Sequence, residues 1–71
     1  MTTETMGFPF STNIASATYD SEAQTLEVEF HSGHSYTGTN VPQSVWESLR
    51  HAPSPGGFFH RMLKGRFGFP P

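Results

Sequence analysis

The absence of cysteine in a chain of 71 residues is the feature that most constrains this fold. Chains of this size commonly supplement a small core with disulfides or a thiolate-bound metal, and both are excluded here, as is a cysteine nucleophile. Stability must come from packing, and the chain carries seven Phe, two Tyr and one Trp. Each ring can bury roughly 150–250 Å². We therefore expect one small domain with a core rich in aromatic rings, and a homo-oligomer that supplements its thin core.

Charge divides the chain into two parts. The formal net charge is −2, but every acidic residue precedes every basic one, the last acid being Glu47 and the first base Arg50. A polyanionic partner would therefore contact the C-terminal third. No apolar run approaches the ~18 residues of a membrane span, and the first ten residues lack the basic start and apolar stretch of a signal peptide. The sequence predicts a cytoplasmic protein without a membrane partner.

Alternation is the clearest structural signal. Leu26, Val28 and Phe30 alternate with polar residues, a pattern typical of a half-buried strand. A strand is also predicted on each side, over 13–20 and 35–39, with Gly33 in the turn of the second hairpin. The first ten residues contain Gly-Phe-Pro-Phe, which excludes a helix or a central strand. We predict an extended arm at 1–10 followed by a three-stranded antiparallel β-meander.

Two short helices are predicted after the meander. Val41-Pro42 begins the first, because a proline at the first helical position gives up an amide that would be unpaired anyway. Ser54-Pro55 begins the second, with the serine as cap. The fold class is α+β, with the domain over 11–67 and a Pro/Phe tail at 68–71. The apolar faces are Val45, Trp46 and Leu49 in the first helix, and Phe58, Phe59, Met62 and Leu63 in the second.

The ordered set of these residues resembles the KTSC domain family, which is named for a C-terminal extension of some lysyl-tRNA synthetases. The family also occurs as short free-standing proteins, including in phage-related genomes. The resemblance implies an α+β module without established catalytic activity, and it suggests RNA as a partner. Gly38 stands where the family commonly has an aromatic residue, and Gly57 where it has a lysine-like one. The matching residues are Asn13-Ile14, Tyr19-Asp20, Leu26, Val28, Phe30, Gly33, Tyr36, Val41-Pro42, Val45-Trp46, Leu49, Ala52, Ser54, Gly56 and Phe58-Phe59.

The start of the second helix is the main candidate site. If Ser54 is the cap, the amides of Gly56, Gly57 and Phe58 point outward at the positive end of the helix dipole, where a phosphate could bind. The alternative is that Gly56 allows close packing and Ser54 only caps the helix. Nearby residues that would add positive charge are Arg50, His51 and Arg61.

These features favour a non-enzymatic module that binds a phosphate-bearing ligand, in particular a nucleotide. Family distribution and small size extend this to a phage-encoded, anti-defence protein that sequesters a nucleotide immune signal. One alternative is RNA binding, with the phosphate backbone contacted by Arg61, Lys64 and Arg66, and with Tyr36 and Phe58 as stacking rings. Another is a protein-interaction module. It would use the aromatic rings of the two ends, Phe8, Phe10, Phe67 and Phe69, which could equally cover the domain's own core or join subunits.

Histidines carry the remaining candidate chemistry. His31 and His34 flank a hairpin turn, but their spacing is not a known ligand signature, and we predict no metal and no cofactor. His51, His60 and Lys64 could in principle supply a metal-independent ribonuclease. Nothing in the sequence sets their mutual geometry, and no catalytic residue is predicted.

Overall fold

A computed structural model describes residues 3–71, which form a four-stranded antiparallel sheet with the strands in sequence order. Met1 and Thr2, the start of the predicted arm, lie outside the described residues. The α+β class is confirmed. The elements are β1 (Thr3–Gly7), β2 (Ile14–Asp20), β3 (Thr25–Phe30), β4 (Ser35–Gly38), α1 (Gln43–Arg50) and α2 (Pro55–Phe58), and a π-helical turn (Phe59–Leu63) continues α2.

The prediction of three strands is wrong, because part of the expected arm is an edge strand. β1 pairs antiparallel with β2, from Thr3 opposite Asp20 to Gly7 opposite Ser16. Its sequence, Thr-Glu-Thr-Met-Gly, lacks the apolar alternation that identifies a strand. Tertiary contacts hold it instead: the buried Trp46 Nε1 donates to Glu4 Oε1 at 2.8 Å.

One face of the sheet carries the core. Leu26 pairs with Tyr19 and Val28 with Ala17 across β2 and β3, and all four are buried. The helices cover this face, and Trp46 stacks on Tyr19 with 5.5 Å between ring centroids. Aromatic and aliphatic side chains share the core, so it is less dominated by rings than we expected. Its described members are Phe8, Ile14, Ala17, Tyr19, Leu26, Val28, Val41, Trp46, Leu49, Phe59, Leu63 and Phe69.

Tyr19 ties the sheet to the segment that precedes α1. Its hydroxyl donates to the Val41 carbonyl at 2.7 Å, in a buried position. Burial raises the pKa of Tyr19 above its ordinary value of 10.0, and the negative charge of Asp20 adds to the shift. The phenol therefore stays neutral and remains a donor at physiological pH.

The second helix begins as predicted. Ser54 Oγ accepts the Gly57 amide at 3.2 Å, and Pro55 occupies the first turn. The helix then widens, with the Lys64 amide donating to the Phe59 carbonyl at 2.8 Å, five residues back. Of its predicted apolar face, Phe59 and Leu63 are buried, whereas Met62 is 45% exposed. No helix among residues 3–71 has the length and apolar character needed to cross a membrane.

The C-terminal tail folds back on the sheet and packs the Phe69 ring against β4. Phe69 is 3% exposed and packs edge-on against Phe59, with 5.2 Å between centroids. Its ring lies on the backbone of Gly38, where a Cβ would come within 2.7 Å of the ring Cζ. Phe69 thus occupies space beside the position where the resemblance implies an aromatic side chain.

Candidate functional site

A groove of about 460 Å³ lies between the loop that follows β1 and the segment that joins α1 to α2. We call it the N-terminal groove. It combines an aromatic ring and prolines with a few polar groups, a combination typical of small-molecule sites. Its lining includes Phe10, Asn13, Arg50, Pro53, Ser54 and Gly56.

The loop on one side of this groove is a hydrogen-bonded turn that carries the exposed ring of Phe10. The Ser11 amide donates to the Phe8 carbonyl at 3.0 Å, which closes a β-turn with Pro9 and Phe10 at its corners. Ser11 Oγ in turn accepts the amide of Asn13 at 3.3 Å. Phe10 is 98% exposed. The turn therefore fixes the backbone position of Phe10, while the ring itself remains open to solvent.

His31 reinforces the same loop from the end of β3. Its Nε2 donates to the Ser11 carbonyl at 2.9 Å, and its backbone amide donates to the Asn13 carbonyl at 3.0 Å. These bonds occupy one ring nitrogen of His31. The histidine therefore has a structural contact that the sequence did not indicate.

Arg50 supplies the positive charge of the opposite wall. Its Nη1 lies 3.1 Å from Glu47 Oε1, and its guanidinium carbon lies 6.0 Å from the centre of the Trp46 ring. The Arg50 side chain is 33% exposed, and Arg50 lines the groove. Two neighbours on its own helix thus restrict the orientation of this cation.

The predicted anion site at the start of α2 is only partly assembled in this groove. Arg50, Ser54 and Gly56 line it together. Two of the three amides assigned to an anion already have partners, because Gly57 donates to Ser54 Oγ and Phe58 donates to the Ser54 carbonyl at 2.9 Å. Because these two amides already donate to Ser54, an anion in this groove would be bound mainly by side chains.

Gly56 allows the two walls of the groove to approach each other. A Cβ on Gly56 would lie 2.8 Å from Asn13 Nδ2. Close packing, the alternative weighed for this glycine, is therefore present. This close packing is compatible with a ligand, because Asn13 and Gly56 both still line the groove.

Arg61 and His51 lie apart from this arrangement. Arg61 Nη1 would lie 3.2 Å from a Cβ built on Gly57, so this guanidinium lies beside Gly57. His51 Nδ1 lies 3.0 Å from the Glu47 carbonyl, so its ring turns back on the end of α1. Neither side chain is part of the groove lining.

A second groove, of about 290 Å³, brings together two residues that the sequence associated with RNA. We call it the helical groove, and it contains both Phe58 and Arg66. The other two cations of that set, Arg61 and Lys64, are exposed on the same segment. Tyr36 lies on β4, is 37% exposed and meets Phe30 edge-on at 5.8 Å. The helical groove is lined by Ser44, Val45, Ser48, Phe58, Met62, Arg66 and Phe67.

The remaining histidines do not form a cluster. His34 Nδ1 lies 3.1 Å from Ser32 Oγ, within the hairpin turn, and His60 is exposed. Among residues 3–71, no three histidine, aspartate or glutamate side chains converge in a way that could hold a metal ion.

Phe10 lines the groove, although the sequence did not assign it to the candidate site. Its position after Pro9 was a usable signal, because proline favours the first corner of a β-turn and the next residue then occupies the second. Whether the ring at that corner would be buried or bare depends on the neighbouring segments, which the sequence pattern does not place.

Comparison with known proteins identifies related sequences. The KTSC domain family matches residues 10–67. A lysine-tRNA ligase from Trichormus variabilis is 47% identical over 51 residues, and one from Nostoc punctiforme is 43% identical over 61. These matches cover 72% and 86% of this chain but 9% and 11% of the ligases, so the chain spans about a tenth of their length.

Two further relatives are of similar size to this chain. An uncharacterized protein from Stutzerimonas stutzeri is 43% identical over 54 residues, which is 76% of each chain. The crystal structure of a KTSC domain protein from Yersinia pestis superposes with a TM-score of 0.85 and 29% identity, covering 93% of this chain and 92% of that one. The fold described above therefore has a counterpart among solved structures.

Proposed function

The chain belongs to the KTSC domain family, and from the lining of its N-terminal groove we propose that it is a small non-enzymatic module that binds a phosphate-bearing ligand, in particular a nucleotide, in that groove. The observation that carries the proposal is the pairing of Phe10 and Arg50 in one groove. A nucleotide presents a base with two flat faces and a phosphate with negative charge. These two groups match the bare ring and the guanidinium respectively.

The exposure of Phe10 is the strongest support for a stacking role. A single exposed ring is common on protein surfaces, but Phe10 also lines the groove that contains Arg50, so its ring is available to a ligand there. The turn that carries Phe10 is closed by hydrogen bonds, so a base would stack without first ordering the loop. Asn13, on the same loop, offers an amide that can donate and accept, as recognition of a base edge requires.

The narrower form of the proposal concerns biology. A small cytoplasmic protein with such a groove could sequester a nucleotide immune signal, acting as an anti-defence protein if phage-encoded. Sequestration requires binding without turnover. Titration with cyclic and linear signalling nucleotides, followed by analysis for breakdown products, separates sequestration from hydrolysis.

Calorimetric titration of the full chain tests the general proposal. The ligands are a panel of nucleoside mono-, di- and triphosphates, cyclic dinucleotides and the corresponding phosphate-free nucleosides. We expect at least one nucleotide to bind, its nucleoside to bind more weakly, and Phe10→Ala to reduce affinity about tenfold or more, the effect of losing a stacked base. Arg50→Gln should also weaken nucleotide binding while leaving the weak binding of the nucleoside unchanged.

Matched controls come from the helical groove. Met62→Ala removes another exposed apolar side chain, and Arg66→Gln removes another exposed cation, both outside the N-terminal groove. Neither should alter nucleotide affinity. The proposal is overturned if no panel member binds at about 1 mM, or if the Phe10 and Met62 variants lose affinity equally.

Native mass spectrometry on protein purified from cells complements the titration. It reads a retained nucleotide and the assembly state in one measurement. Of the rings at the two ends, Phe8 and Phe69 are buried in the chain's own core and Phe67 is partly buried against it, so Phe10 is the ring most available for self-association. An oligomer that Phe10→Ser leaves unchanged would exclude that contact.

RNA binding is a second candidate, favoured by the similarity to lysine-tRNA ligases and by three exposed cations in the C-terminal third. These cations are Arg61, Lys64 and Arg66, and no ion pair involves them within residues 3–71. The double change Arg61→Glu with Lys64→Glu should abolish binding to a tRNA. Binding of wild-type protein should fall steeply with salt, because backbone contacts release counterions. Nucleotide binding in the N-terminal groove should survive both tests.

A further inference from the structure

We propose that the helical groove is a docking site for an acidic protein segment that inserts an apolar side chain. The groove lies between α1 and the turn that leads into the C-terminal tail, on surface that the nucleotide proposal does not use. Three partly exposed apolar side chains, Phe58, Met62 and Phe67, surround Val45 there. Apolar side chains gathered in one concave site mark a surface that a partner covers.

The backbone conformation of Phe67, which lines the helical groove, is fixed by the residues around it. Phe67 adopts a positive φ of 55°, which is costly for an aromatic residue, between Gly65 and Gly68, which also have positive φ. The Thr39 amide donates to the Phe67 carbonyl at 2.8 Å and holds that conformation against the end of β4. The groove is therefore formed before a partner arrives.

Met62 suits the rim of such a groove. It is 45% exposed, and its unbranched thioether side chain can adjust to different apolar partners. The polar groups in the lining are the hydroxyls of Ser44 and Ser48 and the guanidinium of Arg66. A nucleobase would find few groups to read its edges, whereas an aliphatic or aromatic side chain needs none.

Charge selects the partner. Residues 48–71 contain no acidic residue, and the exposed bases His60, Arg61, Lys64 and Arg66 follow one another along this segment. Arg66 lines the groove and has no ion pair among the described residues. A segment with carboxylates beside its apolar anchor would complement this surface, whereas a basic segment would be repelled.

The test is an NMR titration of the isotopically labelled full chain with three short capped peptides. The first contains leucine and glutamate, the second has alanine in place of each leucine, and the third has lysine in place of each glutamate. At about 1 mM, only the first should shift the amide signals of Val45, Phe58 and Met62. Met62→Gln should weaken that binding about tenfold and Arg66→Gln somewhat less, while Phe10→Gln, in the other groove, should leave it unchanged.

Each alternative outcome overturns the proposal. No shift at the helical groove, or equal shifts with the alanine peptide, would show that the apolar site takes no anchor. Stronger shifts at the same residues with single-stranded oligouridine than with the leucine peptide would assign the surface to RNA instead. The side chains of Met62 and Arg66 are exposed, so their substitution should not disturb the core. Circular dichroism of Met62→Gln and Arg66→Gln should therefore match that of the wild type.

Discussion

The two ends of the chain begin from similar local sequences and reach different environments. Gly7-Phe8-Pro9-Phe10 buries one ring, at 7% exposure, and leaves the other at 98%. At the C-terminal end, Phe67-Gly68-Phe69, the ring of Phe69 is buried at 3% exposure and the ring of Phe67 packs against the core. The difference lies in what receives each ring: Gly38 leaves space for Phe69, whereas the turn at Pro9 directs Phe10 away from the core.

This comparison separates rings that stabilise the fold from a ring that is available to a ligand. Phe69 and Phe10 are the same residue type at opposite ends of one small domain. A change in the first should alter stability with consequences for every function, and a change in the second should alter binding with almost no effect on stability. The predictions below test this division from the largest effect on stability to the smallest.

Phe69→Ala should have the largest effect. Truncating a buried phenylalanine costs about 3–5 kcal/mol, against a total stability of roughly 4–10 kcal/mol for a chain of this length. We expect the variant to be partly unfolded at 25 °C. Urea unfolding followed by the fluorescence of Trp46 measures this, and a loss below about 1 kcal/mol would show that the tail is not part of the folded domain.

Gly38→Ala should destabilise by about 1–3 kcal/mol, because the added Cβ displaces the Phe69 ring from a packed position. The cost should largely disappear in the background of Phe69→Ala, where the ring is absent. A double-mutant cycle of urea unfolding measures the coupling between the two sites. Additive effects would contradict the contact between ring and glycine.

Glu4→Ala should destabilise by about 1–3 kcal/mol, since it removes the acceptor for the buried Trp46 indole and leaves that donor unsatisfied. Glu4→Gln retains an acceptor and should recover much of the loss. Hydrogen exchange of the amides of β1 and β2 gives the local readout. If Glu4→Ala leaves their protection unchanged, the contact does not hold the edge strand.

Phe10→Ala should have the smallest effect on stability, within about 0.5 kcal/mol of wild type, because the ring is bare and its loss creates no cavity. The urea midpoint should therefore coincide with that of wild type. A loss comparable to that of Phe69→Ala would show that Phe10 packs against the domain in solution, and the division between the two ends would fail.

Local patterns accounted for much of the fold. Alternation at Leu26, Val28 and Phe30 identified β3, and Ser54-Pro55 located the start of the second helix. β1 was not predicted because Thr-Glu-Thr-Met-Gly carries no amphipathic pattern. Its position depends on pairing with β2 and on the contact with Trp46. For the candidate site, the sequence assigned Arg50, Ser54 and Gly56 to a phosphate ligand, whereas it assigned Phe10 to protein contacts or the core and gave Asn13 no role in binding.

The class of the fold, the start of the second helix and the separation of charge follow from periodicity, capping and composition, which are local properties of the sequence. Tertiary packing settled which phenylalanine rings are buried and which segments face each other across the grooves. Those outcomes depend on contacts between residues far apart in the chain: Phe69 meets Gly38, and Phe10 shares a groove with Arg50. Similar local sequences can therefore serve stability at one end of this domain and remain available for recognition at the other.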